Sequence, residues 1–261
     1  MEILVCVKRV PTVGGKISLT ADGQQVDTRM SGFTISPHEE CAVEEAVQLT
    51  ERLGGTVTVL TLGPPEAADQ VRDCMALGAG AGVLLEAGDQ EWGPMATADA
   101  IAWNVARLTE VSGGYDLLLF GNEAADTGDY QVPVRVAHKL GLPCVTGIKH
   151  LEVQGTDAGD GQRIRASREY RGQRESFDLP LPAVVSVKEG INLPRYPSLP
   201  GRLRAKRAAI ERVSPPWHAD GVRTLGLRLP DLQQQNARVL GAGTEAVPAL
   251  LELLDELGVL S

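Results

Sequence analysis

Residues 121–132 form the part of the sequence whose residue types are best suited to bind a phosphorylated small molecule. They follow a short apolar run and lead into a helical pattern, and backbone N–H groups at the start of a helix favour phosphate. Thr127 and Gln131 add neutral donors, whereas Asp126 and Asp129 would repel phosphate and are expected to cap the turn or bind ribose or adenine groups. Two interpretations stay open: a ligand loop, or an Asp/Gly turn that only caps the helix.

Residues 191–200 could instead recognise another protein. Their prolines stiffen the segment and reduce the entropy lost on docking. Leu199 lies between Ser198 and Pro200 and could project as an apolar anchor, and Arg195 and Tyr196 are residue types common at interface centres. The spacing alone is equally compatible with a crossover that packs on its own domain.

No catalytic constellation is recognisable elsewhere. The sequence has no HExxH, GxSxG or Walker motif, and its four cysteines form no CxxC pair, so neither a zinc site nor a dithiol motif is indicated. The glycine-rich run at residues 78–82 follows a helical pattern and precedes a strand, which is the reverse of a dinucleotide fingerprint. Gly78 is therefore expected to end a helix.

Composition restricts the partners and the compartment. The net charge of −9 argues against nucleic acid as a main partner. No apolar run reaches the length of a membrane span, and the sequence starts on a strand pattern without a signal peptide, so we expect a cytoplasmic protein with no membrane insertion.

The elements that must position these segments alternate between strand and helix. Apolar runs predict strands at residues 3–7, 57–62, 82–86, 117–121 and 144–148, and helical spacing predicts helices at residues 38–53, 65–77, 95–112 and 131–140. Ser36, Pro37 and Glu39 are typical of a helix start with a capping box. This alternation predicts a doubly wound, Rossmann-like α/β fold with a parallel sheet.

The pattern changes after about residue 148. Four more strands, at residues 150–153, 163–170, 176–179 and 183–188, predict an antiparallel ribbon that leads back to the sheet. Prolines between residues 189 and 217 exclude a long helix or a central strand there. We therefore expect a nucleotide-binding domain over residues 1–188 and, over residues 189–261, a docking loop and extended C-terminal arm that packs on a partner and ends in a helix at residues 244–257.

Three blocks of sequence together carry a family resemblance. They are residues 4–11, Leu-Val-Cys-Val-Lys-Arg-Val-Pro; residues 36–47, which open the first helix; and residues 181–206, which contain Asn-Leu-Pro-Arg-Tyr-Pro-Ser-Leu-Pro. The chain resembles the electron-transfer flavoprotein beta family from residue 1 to about residue 213. The resemblance implies an adenine-nucleotide-binding type of α/β fold and a non-catalytic electron-carrier subunit.

The resemblance also implies ligands and partners. An alpha subunit would complete a heterodimer and hold most of the catalytic FAD, while this chain would bury one AMP. The donors would be flavoprotein dehydrogenases such as acyl-CoA dehydrogenases, and the acceptor a quinone reductase or another protein. The implied AMP contacts are Cys6 through its backbone, Ser36, Pro37, His38, Glu39, Leu62, Gly121, Asn122, Glu123, Ala124, Ala125, Asp126, Thr127, Gly128, Asp129, Tyr130, Gln131 and Val132.

Two further sites follow from the resemblance. Glu169 would reach toward the flavin-bearing domain, and Pro194, Arg195, Tyr196, Leu199 and Pro200 would dock dehydrogenases, with Leu199 as the anchor. Val13 stands where some relatives place an aromatic residue near the flavin.

Departures from the family pattern leave alternatives open. Ser36 replaces the usual asparagine, Leu62 replaces a smaller residue, and Tyr130 and Pro133 alter the ligand loop. A second FAD in the AMP position, as in the bifurcating branch of the family, is one alternative. A stand-alone adenine-nucleotide hydrolase or sensor on the same fold is the other, although the sequence lacks the phosphate loop expected for it.

Overall fold

The structure, a computed structural model, describes residues 1–12, 17–155, 162–222, 224–230 and 239–259, and Val13 lies outside this part of the chain. The strands are β1 (Glu2–Cys6), β2 (Val10–Pro11), β3 (Phe33–Thr34), β4 (Thr56–Gly63), β5 (Ala81–Glu86), β6 (Leu117–Gly121), β7 (Cys144–Ile148), β8 (His150–Gln154), β9 (Arg163–Tyr170), β10 (Gln173–Pro180), β11 (Ala183–Val187) and β12 (Glu211–Val213). The helices are α1 (Pro37–Leu53), α2 (Ala68–Leu77), α3 (Pro94–Ser112), α4 (Val132–Leu140), α5 (Leu199–Arg207) and α6 (Val247–Glu256).

A parallel sheet of seven strands forms the centre of the described residues, in the order β12-β5-β4-β1-β6-β11-β7. Each neighbouring pair in it is parallel. The chain winds from β1 through β4 to β5 on one side, and then crosses to β6 on the other side of β1. The doubly wound, Rossmann-like fold predicted from the alternating pattern is confirmed.

The two faces of the sheet are covered by different helices. Side chains alternate along a strand, so Ile3 and Val5 of β1 pack among α1 and α2, while Leu4 and Cys6 pack among α3 and α4. Because both faces are covered, the central strands are almost continuously apolar.

Helix ends follow the sequence signals. Gly78 ends α2 with φ at 144° and donates its N–H to Cys74 O and Met75 O. A Cβ atom at this position would lie 2.8 Å from Val47 Cγ1. The glycine-rich run at residues 78–82 therefore ends a helix, as predicted.

The predicted ribbon is present as a three-stranded antiparallel sheet in the order β10-β9-β8. It connects β7 to β11, and β11 inserts in parallel between β6 and β7. The ribbon thus returns the chain to the central sheet, where β11 comes to lie beside the strand that precedes residues 121–132.

The segment after residue 188 contains a helix, α5, and a strand, β12, which the sequence did not predict. Ser198 Oγ caps α5 by accepting from Gly201 N at 3.1 Å, and Pro200 is tolerated because it lies in the first turn. α5 packs on α2, and β12 pairs with β5 at the sheet edge. Residues 199–213 are therefore not an extended arm, because they bury surface on the first domain. The division at residue 188 and the packing of the C-terminal part on a partner stay predictions.

α6 lies within the predicted C-terminal helix, and much of its apolar surface is exposed. Within the described ranges, no helix has the length and apolar character needed to cross a bilayer.

Candidate functional site

A cavity of about 750 Å³ lies at the carboxyl ends of β1, β4 and β6. The direction of winding reverses at β1, and an open α/β sheet binds ligands in the crevice that such a reversal creates. The volume falls within the range of pockets that take small organic ligands or cofactors. This cavity thus lies at the strand ends where the sequence predicted a ligand.

Most of the residues predicted to contact a nucleotide line this cavity: Cys6, Glu39, Leu62, Gly121, Asn122, Glu123, Ala124, Thr127, Asp129, Tyr130, Gln131 and Val132. The lining residues do not include Ser36, Pro37, His38, Ala125, Asp126 or Gly128, which lie in the same two turns. The structure therefore brings the two predicted turns together, while nucleotide contact itself stays a prediction.

The first turn of α1 is held by a reciprocal pair of hydrogen bonds. Glu39 N donates to Ser36 Oγ at 3.3 Å, and Ser36 N donates to Glu39 Oε2 at 2.8 Å, which confirms the predicted capping box. Glu39 Oε1 also accepts from Lys8 N at 2.9 Å. One buried carboxylate thus joins α1 to the end of β1, and its burial raises the pKa of Glu39 to about 7 although the N–H donors oppose this shift.

Gly121 allows α1 to pack directly on the end of β6. A Cβ atom at this position would lie 2.7 Å from Glu39 Cγ and 3.1 Å from Glu39 N. A larger residue would therefore push the first turn of α1 away from β6, and so open the wall of the cavity.

Asn122 joins three strand ends through buried hydrogen bonds. Its backbone N–H donates to Val187 O at 2.9 Å, and its side-chain oxygen accepts from Ser186 Oγ at 3.0 Å. Ser186 Oγ in turn accepts from Gly147 N at 3.1 Å. The side-chain oxygen of Asn122 is engaged by Ser186, and its backbone N–H by Val187. Asn122 therefore holds the start of the following loop against the ends of β7 and β11.

The loop between β6 and α4 is folded on itself. Gly128 N donates to Ala124 O at 2.9 Å, and both Gly128 and Tyr130 adopt positive φ values, 59° and 57°. Such a value is uncommon for a residue with a side chain. Tyr130 is half exposed at the cavity wall, and a hydrogen bond to Glu123 raises the pKa of its hydroxyl. The loop therefore holds an aromatic ring at the edge of the cavity.

The N-terminus of α4 is open toward an anion. Gln131 precedes the helix without a side-chain capping bond, and Pro133 occupies the first turn. The side-chain oxygen of Gln131 accepts from Arg135 Nε at 3.1 Å and Nη2 at 2.9 Å, and Arg135 also lines the cavity. The helix dipole and this guanidinium both favour negative charge here.

Two more cations of the cavity were missed by the sequence reasoning. Lys8 and Arg9 come just after β1, separated from it by Val7, and line the cavity. Lys8 Nζ lies 2.8 Å from Asp126 Oδ1, and the Arg9 guanidinium lies 3.2 Å from the centroid of the Phe33 ring. Their position after the first strand could have predicted this, because ligands of this fold class bind beyond the carboxyl ends of the strands.

The sequence analysis also did not predict a second wall of the cavity. It is formed by the N-terminal end of α3 and by a C-terminal segment, with Trp92, Gly93, Pro94, Met95, Thr97, Asp220, Gly221, Val222 and Thr224 among the lining residues. The start of α3 follows a strand end and could have been inferred from topology. The part around residue 220 carries no periodic pattern, so the sequence offered no signal for it.

The cysteines do not favour thiol chemistry in the cavity. Burial, with a smaller effect of Glu39, raises the pKa of Cys6 well above its usual range, and a thiol with a raised pKa is a poor nucleophile. Within the described residues, no group of His, Cys, Asp and Glu side chains is arranged to hold a metal ion. Cys6 can therefore contribute its backbone and its volume.

The predicted docking segment exposes its apolar side chains. Tyr196 is 96% exposed and Leu199 is 72% exposed, and Pro194 and Pro200 lie beside them at the surface. Leu199 does not pack inside the domain, so the crossover interpretation does not hold for this side chain. Contact with a dehydrogenase stays a prediction.

Arg195 differs from its neighbours because it is bound to α1. Its Nε lies 2.9 Å from Glu44 Oε2, its Nη1 lies 2.6 Å from Glu51 Oε1, and its backbone N–H donates to Glu44 Oε2 at 3.1 Å. Asn192 Nδ2 adds bonds to Cys41 O at 3.0 Å and Glu45 Oε2 at 2.9 Å. These bonds fasten the loop to α1, so the Arg195 side chain is engaged within its own chain.

Glu169 lies exposed near the end of β9, opposite Arg174 of β10. The ribbon therefore presents this carboxylate at the surface, remote in sequence from both turns of the cavity. Its predicted approach to a flavin-bearing domain stays a prediction.

Comparison with known proteins shows which family the chain resembles in sequence. The family model described as "Electron transfer flavoprotein domain" matches residues 25–217. The chain is similar to the electron transfer flavoprotein subunit beta of Bacillus subtilis, with 36% identity over 82% of this chain and 79% of that protein. It is also similar to the proteins of the same name from Bradyrhizobium diazoefficiens, with 32% identity over the full length of both, and from Homo sapiens, with 31% identity over 99% of this chain and 98% of that protein.

Proposed function

The chain belongs to the electron transfer flavoprotein beta-subunit family, and from this premise we propose that it is the nucleotide-holding subunit of a heterodimeric electron carrier. An alpha subunit holds most of the FAD, flavoprotein dehydrogenases deliver the electrons, and a quinone reductase or another acceptor receives them. The observation that supports this proposal most is the cavity at the reversal of winding, lined by the two turns that the resemblance assigns to AMP.

The residues of the cavity fit an adenine nucleotide. Apolar side chains from two strands, β4 and β6, and from α3 provide a surface for a flat base: Leu60, Leu62, Phe120 and Ile101. The glycine at the end of β6 leaves room for α1 to close on the ligand. Burying the base between apolar walls stabilises the complex by removing apolar surface from water.

The charged residues of the cavity indicate the orientation of a bound nucleotide. Lys8, Arg9 and Arg135 line the cavity, and Arg135 lies on the first turn of α4, which has no side-chain cap. Phosphate is therefore expected at the N-terminus of α4. Asp129 and Glu123 also line the cavity, and we expect them to face the hydroxyl groups of the ribose, which can donate to a carboxylate.

The chain's part in electron carriage is structural. FAD, when bound by the heterodimer, supplies the redox chemistry, and the groups found in this chain bind, orient and shield. Glu169 on the ribbon and the exposed side chains of Tyr196 and Leu199 are the surfaces that we assign to the flavin-bearing domain and to dehydrogenases, respectively.

The test is a count of cofactors combined with a charge variant. The purified heterodimer should release one FAD and one AMP on denaturation. Lys8→Met should lower the AMP content and affinity by about tenfold, because a hydrogen bond to a charged group contributes roughly 1.5–3 kcal/mol. Lys149→Met, which removes the same charge from an exposed position outside the cavity, is the matched control and should bind normally.

Other cofactor contents would indicate a different function for the chain. Two FAD molecules and no AMP would indicate a bifurcating carrier with a second FAD in this cavity. A chain that purifies without an alpha subunit and hydrolyses ATP would contradict the proposal and support an adenine-nucleotide hydrolase.

A further inference from the structure

Residues 217–222 are attached to the N-terminal end of α3 by two side chains. Trp217 Nε1 donates to Glu91 O at 3.0 Å, and Asp220 Oδ1 accepts from Ala96 N at 2.6 Å. α3 has no capping side chain of its own, because Gly93 precedes it. A carboxylate 124 residues further along the chain therefore caps this helix.

Residues that follow Trp217 also line the cavity. Asp220, Gly221, Val222 and Thr224 line it, and beyond them Leu227 N donates to Gly23 O at 2.8 Å and Gln24 Nε2 donates to Leu225 O at 3.2 Å. The segment is thus fixed at α3 on one side and at the turn around Gly23 on the other. No helix or strand includes residues 217–222, and the bonds of Trp217 and Asp220 to the start of α3 hold these residues in place.

We propose that residues 217–222 form a strap that closes one wall of the cavity, and that Asp220 is a positioning residue whose capping of α3 retains a bound nucleotide. This inference rests on the proposed nucleotide function. The carboxylate also satisfies the helix end that would otherwise compete for phosphate, which leaves the N-terminus of α4 as the open anion site. The contact between Asp220 and Ala96 thus holds the strap and leaves the N-terminus of α4 available to the phosphate.

Gly93 is adapted to this contact. A Cβ atom at this position would overlap the Asp220 carboxylate, so one of the two groups would have to move. The φ of Gly93 is −80°, which any residue can adopt. Gly93→Ala should therefore act by displacing the Asp220 carboxylate, without backbone strain.

A double-mutant cycle in the heterodimer tests the proposal, with AMP as the probe. Gly93→Ala and Asp220→Ala should each raise the rate of AMP release about tenfold, as expected for the loss of a charge-assisted hydrogen bond. The double variant should release AMP no faster than either single variant, because both changes break the same contact. Amide exchange at Ala96 should accelerate in all three variants, while His218→Ala, an exposed change within the strap, should alter neither quantity.

The outcomes separate the strap from the nucleotide function. Unchanged AMP release and unchanged exchange at Ala96 in Asp220→Ala would overturn the strap while leaving the proposed function intact. Additive effects in the cycle would also overturn it, because Gly93→Ala would then obstruct the cavity directly. A wild-type complex without AMP would contradict the nucleotide proposal, and exchange at Ala96 would still decide whether Asp220 holds the strap.

Discussion

The bond between Arg195 and α1 gives the sharpest test of how the docking segment works. The Glu44 side chain is only 3% exposed, and Arg195 Nε and Nη2 both donate to it. Arg195→Ala would leave this buried carboxylate with two donors, the Gln48 amide at 2.7 Å and the backbone N–H of residue 195. The variant thus removes the guanidinium while part of the hydrogen bonding is retained.

The magnitude follows from burial. Breaking a buried ion pair costs roughly 3–5 kcal/mol. Because Arg195 is itself 36% exposed and Glu44 keeps two donors, we expect a loss of about 2 kcal/mol in the free energy of unfolding. The second partner, Glu51, is 55% exposed, so Glu51→Gln should cost less than about 1 kcal/mol. For a domain of this size, 2 kcal/mol lowers the unfolding temperature by about 4–8 °C.

The assay compares thermal unfolding of the complex with electron transfer from a dehydrogenase. Arg195→Ala should lower the unfolding temperature and also slow transfer, because the loop that carries Leu199 is no longer held on α1. Glu44→Gln should reproduce both effects, although Glu44 itself is buried and cannot contact a partner. Slower transfer in Arg195→Ala with an unchanged unfolding temperature, together with a normal Glu44→Gln variant, would refute this reasoning and return Arg195 to a direct docking role.

The stability effect should also depend on pH. Burial alone would raise the pKa of Glu44, but its bonds to Arg195 and Gln48 outweigh this and lower it. A carboxylate with a lowered pKa in the folded state stabilises the protein above its unfolded pKa, and this contribution is lost as the pH falls through the folded value. The difference between wild type and Arg195→Ala should therefore shrink below about pH 4.

Three further predictions concern single positions. Burial raises the folded-state pKa of Glu39, so the stability that its protonated side chain contributes is lost as the pH rises from about 4.5 to about 7. Thermal unfolding of wild type and Glu39→Gln across this range should show the wild-type advantage in unfolding free energy falling by up to about 3 kcal/mol. A constant difference would contradict the raised pKa. Leu199→Ala should weaken interprotein electron transfer about tenfold to a hundredfold without lowering the unfolding temperature. Val111→Ala, at another exposed apolar position, is the control. A lowered unfolding temperature with normal transfer would instead indicate that Leu199 packs within the chain. Gly121→Ala should lower both the unfolding temperature and the AMP content of the complex, because its Cβ would displace the first turn of α1, and normal values for both would show that the turn can shift without cost.

The parts of the site that the sequence predicted depend on local signals. The capping box of Ser36 and Glu39 is readable because its partners lie three residues apart. The loop after β6 was located because an apolar run followed by an Asp/Gly turn and a helical pattern marks a strand end in this fold class. Lys8 and Arg9 carried the same kind of signal, since they come just after the first strand.

What the sequence by itself determined is the alternation of strands and helices, the ribbon and the turns at the strand ends, because each arises from periodicity or capping within a few residues. The tertiary structure alone decided that Arg195 turns inward to Glu44, 151 residues away, and that Asp220 caps α3 from 124 residues away. It also decided that residues 199–213 return to the sheet edge. These contacts join segments whose local patterns are independent. They form because the folded chain brings a donor close to the buried carboxylate of Glu44 and a carboxylate close to the N-terminus of α3.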